Sequence, residues 1–225
     1  MSSLIPTVEH QHPDFFVVHK PAGVHFHSQD GSPGLVAQLE GQLGESLYPV
    51  HRLDTPTSGL VVLARSSAAA AKLTERFTQH QVEKRYLALS GHKPKKKQGT
   101  VKGGMAKARR GAWKLTPERD NFALTQFVSH SLRPGIRAFL LRPRSGRTHQ
   151  IRVALKSLGA PILGDALYGG QEADRTYLHA WSLGFEWQGE WQQFWLPPCQ
   201  GERWGEELAA LLAQWQAEDP SWPQS

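Results

Sequence analysis

Apolar and polar positions along this chain fall into runs that predict strands, stripes that predict helices, and one long stretch with neither. Asp14-Phe-Phe-Val-Val-His19 holds a continuous apolar run over residues 15–18, the mark of a short buried strand, and Lys20-Pro-Ala-Gly23 ends it in a turn. Residues 35–43 follow the loop Gly31-Ser-Pro-Gly34 and suit a short helix. Residues 60–64 form a second apolar strand, and Ser66 stands where it can cap an Ala-rich helix reaching Gln79, with Leu73 and Phe77 on one face. Residues 86–90 predict a strand. Residues 92–114 show almost no apolar periodicity and predict a mobile loop or a weak hairpin. Residues 124–128 and 136–142 alternate like an antiparallel pair around Arg133-Pro-Gly135. Thr148 is placed to cap a helix over 149–158 whose Ile151, Ala154, Leu155 and Leu158 share a face. Residues 177–187 predict another strand. Residues 203–217 predict an amphipathic helix with Trp204, Leu208, Leu211, Leu212 and Trp215 in one stripe.

Strands and helices mix here without a regular β-α-β alternation, which predicts an α+β fold rather than a doubly wound sheet. No break in composition divides the chain, so a single domain over residues 1–225 is expected. Seven of the eight Trp lie after residue 180. Their helical stripe assigns them to packing rather than to base stacking.

Composition narrows the class. Hydrophobic residues make up 39% and charged residues 20%, which suits a globular domain, and no apolar run is long enough to span a bilayer. The first residues lack the basic and apolar regions of a secretory signal. One cysteine, Cys199, excludes an internal disulfide framework and a multi-cysteine zinc site. These features together place the protein in the cytoplasm.

Charge adds a partner. The net charge of +6 hides 25 Lys and Arg against 13 Asp and Glu in residues 1–185, and one against seven in residues 186–225. Residues 92–114 hold nine Lys and Arg and no acid, and residues 121–164 hold seven and no acid. Such stretches create a positive field that attracts a polyanion, nucleic acid above all.

Three places could carry chemistry. Asp54 lies in His51-Arg-Leu-Asp-Thr-Pro-Thr-Ser-Gly-Leu60, a polar turn with Arg52, Thr55, Thr57 and Ser58 around the acid and a packed strand behind it. Arg144-Ser-Gly-Arg-Thr-His-Gln-Ile-Arg152 puts Arg147, His149 and Arg152 at a helix start, where backbone amides and guanidinium forks favour an anion. Tyr86 follows Glu83-Lys84-Arg85, and an aromatic ring beside basic residues can stack on a displaced base. His25 and His27 are a bare pair without a third ligand, so no metal site is expected. Neither Gly103-Gly104 nor Gly169-Gly170 opens a phosphate-binding loop, and Ser58 is not in a nucleophile elbow.

Taken in order, these segments resemble the RluA-type pseudouridine synthases. Asp14-Phe-Phe-Val-Val-His-Lys-Pro-Ala-Gly23 is similar to the family's first motif, and His51–Gly59 to its signature around the catalytic Asp. Lys84-Arg-Tyr-Leu-Ala88 is similar to the segment carrying the active-site Tyr. Ser145-Gly-Arg-Thr-His-Gln-Ile-Arg152, with Gly164-Asp165 and Tyr168-Gly169, is similar to the third motif, and Leu178-His-Ala180 to a further segment.

The resemblance implies a mixed, largely antiparallel sheet flanked by helices and loops. It also implies isomerisation of a uridine in structured RNA, tRNA or rRNA, with neither cofactor nor metal. Asp54 would be the nucleophile, Arg152 would pair with its carboxylate, Tyr86 would stack on the target base, and Arg52 would help to displace that base. On their charge rather than on the resemblance, Arg147, His149, Lys95, Lys96, Lys97, Arg109 and Arg110 would hold the RNA, and the Lys-rich segment 93–110, which stands where the family varies, would choose it. The S4-type RNA-binding domain of some relatives has no room before Asp14, and a monomer is expected. The competing expectation is a catalytically silent RNA-binding module of the same fold. An unrelated hydrolase using Asp54 has no second catalytic carboxylate or triad to support it.

Overall fold

The two apolar runs near the N-terminus set the first strands. The computed structural model describes residues 5–223. β1 (Thr7–Gln11) pairs antiparallel with β2 (Phe15–Lys20), all six of whose residues are buried, as a strand covered on both faces requires. α1 (Leu35–Leu43) turns Leu35 and Leu39 inward and stops at Gly44, a left-handed residue whose N–H reaches the Glu40 carbonyl. β3 (Tyr48–Pro49) is a short partner to β4 (Ser58–Ala64). β4 is buried throughout and runs antiparallel to β2, with Phe15 opposite Ala64 and Lys20 opposite Gly59. α2 (Ser67–Thr78) begins where the sequence predicts, with the Ser66 hydroxyl accepting the Ala69 N–H at 3.1 Å. Its Ala69 and Leu73 join a core with Phe15, Val17, Leu60 and Val62.

Next come β5 (Glu83–Ser90), β6 (Gln98–Lys107), β7 (Trp113–Thr116), β8 (Ala123–Arg133) and β9 (Ile136–Pro143), in the spatial order β5-β9-β8-β6-β7 and antiparallel throughout. α3 (Gln150–Ser157) follows. β10 (Leu178–Trp187) runs parallel to β4, placing His179 beside Ser58 and Ala180 beside Gly59, and β11 (Glu190–Trp195) folds back antiparallel along it. Gly59 is obligatory in that contact: its φ is 118°, and a Cβ there would lie 2.3 Å from the Ala180 carbonyl oxygen. α4 (Glu207–Ala217) ends the regular structure, with Leu208, Leu212 and Trp215 buried.

The chain divides into two compact units, residues up to Lys84 together with His179–Gln200, and Arg85–Leu178 together with residues from Gly201 onward. Neither is a contiguous stretch. In the second unit the acidic C-terminal segment lies on basic side chains. Asp219 pairs with Arg85 at 3.0 Å, the Arg142 guanidinium sits over Trp222 at 5.7 Å, and Gln126 donates to the Pro223 carbonyl.

The α+β class and the largely antiparallel, mixed sheet expected from sequence are what the structure has. Two local expectations fail, and a third resolves to one of its alternatives. Of the mobile loop or weak hairpin expected over residues 92–114, the structure has the hairpin, β6 with β7, and β6 also pairs with β8 from Gln98–Val128 to Gly103–Ala123. Backbone pairing needs no apolar alternation, and Gly104 lets the strand pass where a Cβ would be 2.3 Å from the Glu118 carbonyl. Thr148 does not cap α3; His149 takes that position with a left-handed φ of 56° and no side-chain cap. α4 starts at Glu207 rather than 203 because Gly205 is left-handed, although Trp204 before it is still buried.

Candidate active site

Asp54 is half-buried on a loop whose backbone is held by polar side chains drawn from distant sequence. Its own carbonyl accepts the Thr57 N–H at 3.0 Å, closing a turn. The next carbonyl, of Thr55, accepts from both Lys20 Nζ at 3.0 Å and the Gly23 N–H at 2.9 Å. Lys20 is fully buried at the end of an apolar strand and also donates to the Pro21 carbonyl. A buried ammonium is tolerated only where oxygens take up its donors, and this one donates to the loop that carries Asp54. The Lys-Pro-x-Gly turn therefore clamps the loop that carries Asp54.

The two ends of the loop are fixed as well. At its start, His51 Nε2 accepts the Val62 N–H at 2.9 Å while the ring stacks on Phe77, 4.4 Å between centroids. Burial, and secondarily the Lys84 charge, push the His51 pKa down to about 3, so the ring is neutral and able to accept. Burial also lowers Lys84, to about 8. At the loop's exit, Ser58 Oγ lies 2.7 Å from His179 Nδ1, and His179 Nε2 lies 2.8 Å from the Leu196 carbonyl. A carbonyl only accepts, so in the neutral ring Nε2 carries the proton and Nδ1 accepts the Ser58 hydroxyl. Leu178-His-Ala180 thus supplies a brace in His179 and close backbone packing at Gly59.

The second unit carries the other candidates. Arg152 is buried on α3, and its Nε and a terminal nitrogen bind both carboxylate oxygens of Asp165 at 2.7 and 2.8 Å. Its guanidinium also lies 5.0 Å from the centre of the Tyr168 ring. The Ser-Gly-Arg-Thr-His-Gln turn before α3 is tied by Gln150. Its Oε1 accepts from Ser145 Oγ and the Arg147 N–H, and its Nε2 donates to the Leu124 carbonyl and Thr125 Oγ1, all between 2.8 and 3.0 Å. Tyr86 is half-buried on β5 opposite Leu141.

Of the predicted RNA contacts, Arg52 is exposed in the first unit, and Lys95, Lys96, Lys97, Arg109, Arg110 and Arg147 are exposed in the second. Lys95–Lys97 precede β6, while Arg109 and Arg110 form the turn between β6 and β7. Arg147 and His149 share the loop before α3; Arg147 Nε donates to the Phe122 carbonyl, and His149 Nδ1 lies 2.8 Å from the Tyr168 hydroxyl. Sequence reasoning gave no role to Lys20, His51, His179, Gln150, Asp165 or Tyr168. A lysine closing the run Phe-Phe-Val-Val-His was the one visible signal for Lys20. Among the described residues no group of three or more His, Cys, Asp or Glu could hold a metal ion, and no helix is long and apolar enough to cross a membrane.

Comparison with known proteins agrees across most of the chain. The model of a family described as RNA pseudouridylate synthase matches residues 14–157. An uncharacterised RNA pseudouridine synthase of Haemophilus influenzae is 47% identical over 200 residues, covering 88% of this chain and 89% of that protein. Ribosomal large subunit pseudouridine synthase C of Rickettsia bellii is 35% identical over 74% of this chain, which spans 59% of the Rickettsia protein. Among solved structures, human RNA pseudouridylate synthase domain containing 4 superimposes with a TM-score of 0.68 at 27% identity, covering 92% of each chain. The human domain containing 1 protein has the same fold, with a TM-score of 0.76 over all of this chain and 99% of its own, at 24% identity.

Proposed function

We propose, from the premise that this chain belongs to the RNA pseudouridylate synthase family, that it isomerises a particular uridine in tRNA or rRNA with Asp54 as the nucleophile. The reaction class follows from the family: the chain is an RNA pseudouridine synthase, an isomerase. The glycosidic bond from ribose to uracil nitrogen breaks, the base turns, and a carbon–carbon bond forms to the same ribose. Nothing is oxidised or reduced, so the chemistry calls for no redox cofactor.

The observation that carries the nucleophile assignment is the clamp. A half-buried carboxylate stands on a loop fixed at its start by His51, past its middle by Lys20 and Gly23, and at its exit by Ser58 and His179. Attack on a sugar or base rewards such preorganisation, because the nucleophile loses no freedom on reaching the reacting atom. The remaining roles rest on the resemblance: Tyr86 stacking on the flipped base, Arg152 as the cation paired with Asp54, and Arg52 displacing the base.

Flipping costs a few kcal/mol, which phosphate contacts offset. Lys95, Lys96, Lys97, Arg109, Arg110 and Arg147 are exposed, as phosphate contacts must be, and His149 completes the set. The name of the Rickettsia relative makes large-subunit rRNA the first RNA to test. Activity is assigned to the chain as a whole, acting as a monomer in the cytoplasm, since neither compact unit is a contiguous stretch.

Pseudouridine mapping in total RNA tests this. Cells lacking the gene should lose at least one pseudouridine, which wild-type protein restores and Asp54→Asn does not. Restoration by Asp54→Asn would remove Asp54 as nucleophile, and identical maps with and without the gene would favour a silent RNA-binding module.

A further inference from the structure

Tyr168 touches three elements that the proposed function uses, yet no role has been given to it. It is 5% exposed. Its hydroxyl accepts the Trp113 N–H at 2.9 Å and lies 2.8 Å from His149 Nδ1. Its ring lies under the Arg152 guanidinium at 5.0 Å, with the His149 ring edge-on at 5.7 Å. Met105, Ala112, Trp113 and Leu115 of the β6–β7 hairpin belong to the apolar cluster around it.

The hydroxyl bond is the informative one. β7 is the outer strand of its sheet, so the Trp113 N–H points away from β6, and Tyr168 supplies its acceptor. Trp113 directly follows the turn that displays Arg109 and Arg110. Packing alone would be served by phenylalanine, whereas a buried hydroxyl is kept for its partners. Here those partners come from two segments that present basic groups, the hairpin and the Arg147–His149 loop, while the ring beneath takes the guanidinium.

We propose that Tyr168 is a positioning residue that joins the RNA-holding hairpin to Arg152. Its hydroxyl fixes the hairpin and the Arg147–His149 loop against α3, and its ring fixes the plane of the Arg152 guanidinium. Asp165 holds the same guanidinium from its edge, so edge and face are both determined. The proposal rests on the roles assigned above to Arg152 and to the hairpin.

Two variants separate the two parts of the side chain. Tyr168→Phe keeps the ring and loses the hydroxyl; Tyr168→Leu loses both. With a transcript carrying the mapped uridine, Tyr168→Phe should raise KM by about three- to tenfold, the effect of one hydrogen bond, and leave kcat within about twofold. It should also speed amide hydrogen exchange at Trp113. Tyr168→Leu should in addition lower kcat by about tenfold or more, as loss of a desolvated cation–ring contact implies. Should that variant not fold, Tyr168→Met, whose longer unbranched side chain adapts to the space of the ring, decides the ring's part.

The inference is overturned if Tyr168→Phe has wild-type KM and wild-type exchange, if both variants lower kcat equally, or if either lowers Tm with KM and kcat unchanged. Asp54→Asn is the control, expected to abolish turnover while leaving RNA affinity and Trp113 exchange at wild-type values. Exchange and RNA affinity need no turnover, so failure of the nucleophile assignment and failure of this inference give different results.

Discussion

Lowering the pH from about 7.5 to 5 should remove about 2 kcal/mol of stability through His51 alone. Burial, with the Lys84 charge adding to it, holds this imidazole at about 3 against an ordinary value of 6.5. Its Nε2 accepts the Val62 N–H at 2.9 Å, so a proton there would set two donors against each other. Between the two pKa values the unfolded chain binds more protons than the folded one, and stability falls as the pH falls. The loss is RT times the logarithm of the ratio of the two protonation polynomials, which gives about 0.8 kcal/mol at pH 6 and about 2 kcal/mol at pH 5. A folded value nearer 4 changes the second figure by less than about 0.1 kcal/mol, because the unfolded pKa sets it.

His51→Gln isolates the effect, since an amide oxygen can accept the same N–H and does not titrate. Urea unfolding of both proteins at pH 7.5, 6 and 5 gives the comparison, and the other histidines cancel in the difference. His51→Gln should be the less stable at pH 7.5, and the gap should shift in its favour by about 2 kcal/mol at pH 5. A shift below about 0.5 kcal/mol would refute the reasoning, because His51 would then not be held neutral by the fold.

Three further outcomes can be measured. Asp165→Ala leaves the Arg152 guanidinium buried without the carboxylate that binds two of its nitrogens. The expected loss is about 3–5 kcal/mol, or a Tm lower by roughly 6–20 °C, and an unchanged Tm would mean that Asp165 is not its chief counter-ion. Gly59→Ala forces a Cβ to 2.3 Å from the Ala180 carbonyl at a φ of 118°; it should lower stability by more than about 3 kcal/mol, and wild-type thermal unfolding would contradict the close approach. Neutralising Lys95, Lys96, Lys97, Arg109 and Arg110 should weaken RNA binding and flatten its salt dependence while kcat at saturation stays within about twofold; a collapse of kcat would move these residues from holding RNA to the chemical step.

What the sequence reveals divides by the range of the interaction. β2, β4, α1 and α2 are legible because a continuous apolar run or a capped stripe is a local property. Asp54 is legible as part of a motif. The clamp around it is not, because Lys20 meets Thr55 across 35 residues and Ser58 meets His179 across 121, and the chain does not state which carbonyl a lysine will find. β6 is legible only as one side of an alternative between loop and hairpin, since its pairing is carried by backbone groups that every residue has. Thr148 obeys the local capping rule and loses to the Gln150 amide, whose four hydrogen bonds set the turn before α3. The Gly164-Asp165 and Tyr168-Gly169 pairs are visible as pattern, but the ion pair and ring contact that explain them need the fold.

The brace at the exit of the Asp54 loop has a consequence for synthesis. Ser58 and His179 are separated by 121 residues, which a ribosome adding about 5–20 residues per second takes roughly 6–24 s to translate. Through that interval the nascent chain already displays Asp54, while neither His179 nor the β10 backbone beside Gly59 exists. A product terminated early therefore carries the Asp54 motif on a loop with an unfixed exit. The exit is fixed only once residues 179 and 180 have been made, so a fragment that stops short of them lacks both the side-chain brace and the backbone that packs on Gly59.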